Sequence, residues 1–138
     1  MAGFFNNRVP SIANNSSLRI PQLETFSALQ DFAANPSDER EVGVVLPVGC
    51  GKSGCIALAP FAFKSNRCLV VAPGIRIADQ LHRDFNPTQP GMFYSKTQVL
   101  EEPPYPEPVE IRGTTTNRGD LDDADIVVTN IQQLQGDN

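Results

Sequence analysis

Leu46-Pro47-Val48-Gly49-Cys50-Gly51-Lys52-Ser53 is the stretch of this chain whose residue types and spacing can do chemistry. Gly49 and Gly51 have no Cβ, so the backbone there can turn tightly and come close to an anion. A helix opening directly after the loop would add N–H groups that have no intrahelical partners and point at the same place. Lys52 is suited to the β- and γ-phosphates of a nucleotide, and Ser53 to a magnesium ion. The ligand implied is ATP or GTP with Mg2+. Cys50 falls inside the run and Gly54 directly after it, and both are expected against the nucleotide. The strict eight-residue pattern starts with Gly, and that position is Leu46 here. Only the Gly-x-Gly-Lys-Ser end holds.

Such a loop works only between a strand that delivers it and a helix that receives it. The apolar run Val42–Leu46 predicts a buried strand over Glu41–Leu46. Lys52–Ala59 reads as the helix. Pro60 lacks the N–H that would bond back to Ile56, so the helix is expected to kink or stop there. Upstream, Pro21 suits a helix start, and Leu23, Phe26, Ala28, Leu29 and Phe32 recur at helical spacing. Asn35-Pro36 ends that helix. Arg67–Ala72 predicts a second buried strand, broken by Pro73-Gly74. Ile75, Ala78, Leu81 and Phe85 then mark an amphipathic helix. Asn86–Gly91 is a turn cluster, and Met92–Leu100 is mixed, with a strand as the reading offered. Glu101–Pro108 holds four prolines and is an extended loop. Val109–Arg112 suggests a short strand, Asp125–Thr129 a clear one, and Ile131–Leu134 the start of a helix. Residues 1–17, rich in Asn, Ser and Pro, read as a flexible arm. The alternation predicts an α/β fold, a parallel sheet with helices on both faces, with the loop at the strand end where such sheets bind ligands.

Composition narrows the class. A chain of 138 residues suits one domain. No run is long and apolar enough for a membrane span, and Met1–Pro10 does not look like a secretory signal. Cys50, Cys55 and Cys68 have no metal-ligand spacing, which fits reduced thiols and an intracellular, cytoplasmic setting. The net charge of −5 does not suggest a nucleic-acid binder. Residues 101–125 alone carry eight acids and two bases, however, which leaves +1 for everything else. The acidity is regional, and charge neither supports nor excludes a nucleic-acid groove.

Three blocks, taken in order, resemble the superfamily 2 (DEAD/DEAH-like) helicases, and most closely the motor of type III restriction-endonuclease subunits. Residues 46–53 look like their motif I. Leu69-Val70-Val71-Ala72-Pro73-Gly74-Ile75-Arg76, with Asp79-Gln80-Leu81, looks like motif Ia. Asp125-Ile126-Val127-Val128-Thr129-Asn130 with Gln133-Leu134 resembles the block before motif II. Leu18-Arg19-Ile20-Pro21-Gln22 resembles the adenine-reading glutamine segment. The resemblance implies a phosphate-loop, RecA-like domain over residues 18–138, incomplete at its C-terminal side because the acidic motif II is not reached. It implies that Gln22 bonds the adenine edge, with Arg19 nearby. Gly49, Cys50, Gly51, Lys52, Ser53 and Gly54 would hold ATP, with Lys52 catalytic and Ser53 on Mg2+. Pro73, Gly74, Arg76 and Thr129 would lie along a nucleic-acid backbone, DNA being favoured over RNA. The strands flanking the phosphate-loop strand come after motif II in that fold, so the chain would lack them, together with a second lobe. On this reading the isolated chain is a truncated product that does not hydrolyse ATP.

Other readings stand beside this one. The chain could be a non-catalytic nucleotide- or partner-binding fragment of a split or decayed helicase gene. It could also be a small phosphate-loop kinase, but no basic lid is visible. Asp125 sits at the beginning of a strand, the wrong end for a magnesium-holding acid. Cys50 reads as loop filler, Cys55 and Cys68 as packing residues, and His82 as a surface residue.

Overall fold

The structure is a computed structural model and describes residues 3–35, 37–111 and 118–135. Three short strands form its sheet: β1 (Cys68–Ala72), β2 (Pro108–Glu110) and β3 (Ile126–Asn130). β3 is central and both neighbours run parallel to it, in the order β1-β3-β2. Val70 is in register with Val128, and so is Glu110. Strand side chains alternate, so Val70, Ala72, Ile126 and Val128 share one face. All four are buried. Against them lie Ala78, Leu81 and Phe85 of α4 (Ile75–Phe85), the buried stripe its spacing predicts.

Cover on the second face is partial: Thr129 of β3 is buried there, but β1 is not. On the other face of β1, Leu69 is 59% exposed and Val71 43%. The strand read as buried is therefore buried on one side only. The predicted strand Glu41–Leu46 does not form. Its residues are exposed or half-buried and lie outside any ladder. A strand exists only beside a hydrogen-bonding neighbour, and among the described residues no strand lies next to this segment.

α2 (Ile20–Ala34) and α3 (Lys52–Phe63) pack as a pair. α2 spans the predicted helix and ends at Asn35 as expected. α3 runs past Ala59 and through Pro60 to Phe63, where the sequence suggested a kink or stop. Pro60 forgoes one hydrogen bond in the last turn. The burial of Phe61 and Ala62 beyond it outweighs that loss. Lys64, at φ 51°, then ends the helix.

Residues Met92–Leu100 are not a strand. They hold a single helical turn, α5 (Phe93–Lys96), in which Met92, Tyr94, Val99 and Leu100 are at most 1% exposed. The Tyr94 hydroxyl donates to the Ala57 carbonyl at 2.6 Å, which fastens α5 to α3. The amino-terminal residues expected as an arm lie against this body. α1 (Phe4–Asn7) buries Phe5 edge-on to Phe61, ring centroids 5.0 Å apart. The Ser11 N–H donates to the Val99 carbonyl, and Arg8 donates to the carbonyls of Pro104 and Glu102. The carboxylate of Asp125 accepts the Glu107 N–H at 2.8 Å, so this acid sets β2 beside β3. Two further short helices, α6 (Arg118–Asp123) and α7 (Ile131–Leu134), lie among the described residues.

Candidate functional site

The loop before α3 is shaped by its own glycines and by two side chains at the start of α2, Arg19 just before it and Gln22 in its first turn. Gly49 and Gly51 have φ of 86° and 82°, a left-handed backbone that other residues adopt only with strain. The Arg19 guanidinium donates to the Gly49 carbonyl at 2.6 Å. The Gln22 amide donates to the Gly51 carbonyl at 3.2 Å, and its oxygen accepts the Arg19 N–H at 2.8 Å. The Gly51 carbonyl also accepts from Gly54 and Cys55 as α3 begins.

The consequence follows from peptide geometry. In a trans peptide the C=O and the next N–H point in opposite directions. Holding the Gly49 and Gly51 carbonyls toward α2 and α3 turns the N–H groups of Cys50 and Lys52 the other way. Outward N–H groups just ahead of a helix favour an anion. Lys52 is exposed and has no ion-pair partner among the described residues. A Cβ on Gly54 would stand 2.2 Å from Gln22 Nε2 and 2.8 Å from a Phe93 ring carbon. Glycine there is what lets α2 and α5 close on the first turn of α3.

Two cavities flank that turn. A larger apolar one, of about 570 Å³, is lined by Lys52, Cys55, Leu46 and the valines before it. A smaller one, of about 250 Å³, lies on the other side, against Ser53, Gly54, Arg19 and Gln22, and is closed by Asp84, Phe93 and Lys96. Burial raises the Asp84 carboxyl above its usual range, while Lys96 and Arg83 pull it back down. Sequence reasoning missed these last three residues. Asp84 lies on a helix that was predicted, but the turn that carries Phe93 and Lys96 was read as a strand.

The structure brings Gly49 through Gly54 together with Arg19 and Gln22. Gln22 is 5% exposed, and both ends of its amide are engaged with the chain itself. The second group of expected residues lies elsewhere. Pro73, Gly74 and Arg76 follow β1 and reach the surface or its margin, and Gln132 of α7 donates to the Pro73 carbonyl at 3.5 Å. No hydrogen bond or ion pair among the described residues joins this segment to the glycine loop. Thr129 is fully buried, and its hydroxyl has no hydrogen-bond partner among the described residues. His82 is half-buried, its Nδ1 4.0 Å from a Glu110 carboxylate oxygen, rather than on the surface. No group of three or more His, Cys, Asp or Glu that could hold a metal ion occurs among the described residues. No helix among them is long and apolar enough to cross a membrane.

The family model described as type III restriction enzyme, res subunit, covers residues 15–138. No curated protein and no solved structure matches the chain.

Proposed function

The chain belongs to the family of the type III restriction enzyme res subunit, and on that premise we propose that it carries the ATP-binding part of a nucleic-acid-dependent motor, a helicase or restriction-type translocase. One observation carries the reading. Arg19 and Gln22 hold the two glycine carbonyls of the loop and so aim the Cys50 and Lys52 N–H groups outward. A loop held in this way is organised for phosphate before phosphate arrives. That matters because phosphoryl transfer depends mainly on positioning and charge stabilisation.

Lys52 then neutralises charge on the β- and γ-phosphates. Ser53 fits as one oxygen ligand of magnesium, with the rest of the ion's shell made by phosphate oxygens and water. Bound magnesium would supply further charge neutralisation at the transferred phosphate. Gln22 serves ATP binding by fixing the loop, and adenine recognition through it requires one of its present bonds to be exchanged. The surface segment Pro73–Arg76 is the proposed track for a nucleic-acid backbone, which it would position without reading sequence. The three free cysteines agree with a reducing, ATP-supplied compartment.

The test is equilibrium binding of a fluorescent ATP analogue to the purified chain, with and without magnesium, beside Lys52→Ala. Magnesium-dependent binding that Lys52→Ala weakens at least tenfold supports the reading. Equal binding by both proteins, or none by either, contradicts it.

A further inference from the structure

The sequence reads residues 1–17 as a flexible arm, and the phosphate reading gives them no task. The structure folds the end of that arm into two consecutive turns that meet at Asn15. The Asn15 N–H donates to the Ile12 carbonyl and the Leu18 N–H to the Asn15 carbonyl, each at 3.2 Å. Both ends of the Asn15 side-chain amide are engaged as well. Its Nδ2 donates to the Ser11 carbonyl at 2.7 Å and to the Thr97 carbonyl at 2.9 Å, and its Oδ1 accepts the Ser17 N–H at 2.9 Å. Two carbonyls and one N–H converge on this side chain, a set that asparagine answers and aspartate cannot.

The far end of this contact is firm. Thr97 closes α5, is 7% exposed, and donates its hydroxyl to the Phe93 carbonyl at 2.7 Å. Beside it the Ser11 N–H donates to the Val99 carbonyl at 2.8 Å. α5 is fastened in turn to α3 by the Tyr94 hydroxyl. The near end is the buried Leu18 and then Arg19, whose guanidinium holds the Gly49 carbonyl. We propose that residues 11–18 form a strap that sets Arg19 against the glycine loop, with Asn15 as the positioning residue at its centre. This rests on the phosphate reading of the loop and adds what keeps the loop's own clamp in place. Arg19 is exposed and its side chain is long, so holding it in one geometry costs rotamer freedom. A backbone fixed at its root, through Asn15 and α5 to the body of α3, narrows what the guanidinium can reach before a ligand arrives.

The experiment is calorimetric titration of magnesium ATP into the full chain, Arg19→Ala, and Asn15→Ala and Asn15→Asp, each of the last two alone and combined with Arg19→Ala. All are measured below their melting temperatures. One net hydrogen bond is worth about fivefold in an equilibrium constant, so Arg19→Ala should weaken ATP by about that factor or more. Asn15→Ala should weaken it about threefold to fivefold. Asn15→Asp should cost at least as much, because it turns an oxygen on the Ser11 and Thr97 carbonyls. If the alanine variant does not fold, the aspartate variant carries the comparison, since it keeps the side-chain volume and the Ser17 bond. In the Arg19→Ala background neither Asn15 change should weaken ATP further. An asparagine with a merely structural role would lower the melting temperature in both backgrounds and leave the affinity of the folded chain alone. Parent-like affinity in a folded Asn15 variant or in Arg19→Ala, or equal losses with and without Arg19, would overturn the inference. The phosphate reading would still stand if Lys52→Ala weakened binding in the same titration. Failure of the parent chain to bind ATP would overturn both.

Discussion

Gln22 has two jobs at once. Its oxygen caps the start of α2 and its amide nitrogen restrains the loop that α3 springs from. The sequence marked this residue through its place in a segment resembling the adenine-reading block, and marked the loop through Gly49, Gly51, Lys52 and Ser53. Such local identities can be read from sequence because each needs only its neighbours: a glycine for a left-handed turn, a lysine at a helix start. The sequence could not show that Arg19 and Gln22 grip loop carbonyls, because those bonds span roughly thirty positions. Gly54 is where the arrangement has least room. Gly54→Ala should push Gln22 off the Gly51 carbonyl and shift Phe93, weakening ATP binding about tenfold or more while α3 itself, favoured by alanine, still forms. ATP titration together with far-ultraviolet circular dichroism checks both halves. Unchanged affinity with an intact helix would mean that Gln22 does not set the loop.

Elements were legible in proportion to how much of their reason lay inside them. α2 and α4 carry apolar residues at helical spacing and formed where that spacing predicted. Glu41–Leu46 has the composition of a strand, but a ladder needs a partner that composition cannot supply. Met92–Leu100 misled for a related reason. Its apolar residues follow no period because they fill a gap among α3, α4 and the sheet, so nothing in their order announced a helical turn. His82 links α4 to β2 through Glu110, a pairing visible only once the sheet order is known. Burial lowers its pKa from 6.5, with the Pro108 backbone and the charges of Asp79 and Glu107 opposing. The unfolded chain therefore takes the proton at higher pH than the folded one. Stability is held above about pH 6.5 and falls as pH drops below it, because the unfolded state then binds more protons. A series of melting temperatures between about pH 7.5 and 5.5 should fall more steeply for the parent than for His82→Gln. Identical slopes would remove His82 from the acid response.

At the scale of the molecule, one face of the sheet is covered, while on the other Thr129 is buried and Leu69 and Val71 of β1 reach solvent. The helices on the covered side bring together what the family resemblance divides into separate motifs. The start of α2 supplies Arg19 and Gln22, α3 opens with Lys52 and Ser53, and α4 with α5 close the far wall with Asp84, Phe93 and Lys96. The α/β class, the parallel strands and the family were legible from strand–helix alternation and the motif blocks. The sheet order and the uneven cover of its second face were not, because both depend on contacts between elements far apart in the chain. The central claim is that the loop held by Arg19 and Gln22 is a phosphate site. Amide hydrogen exchange tests it most directly, measured on the full chain with and without magnesium ATP. The account predicts slowed exchange concentrated at residues 49–55, with a weaker effect at the start of α2. Protection absent from 49–55, or seen only elsewhere in the chain, would contradict it.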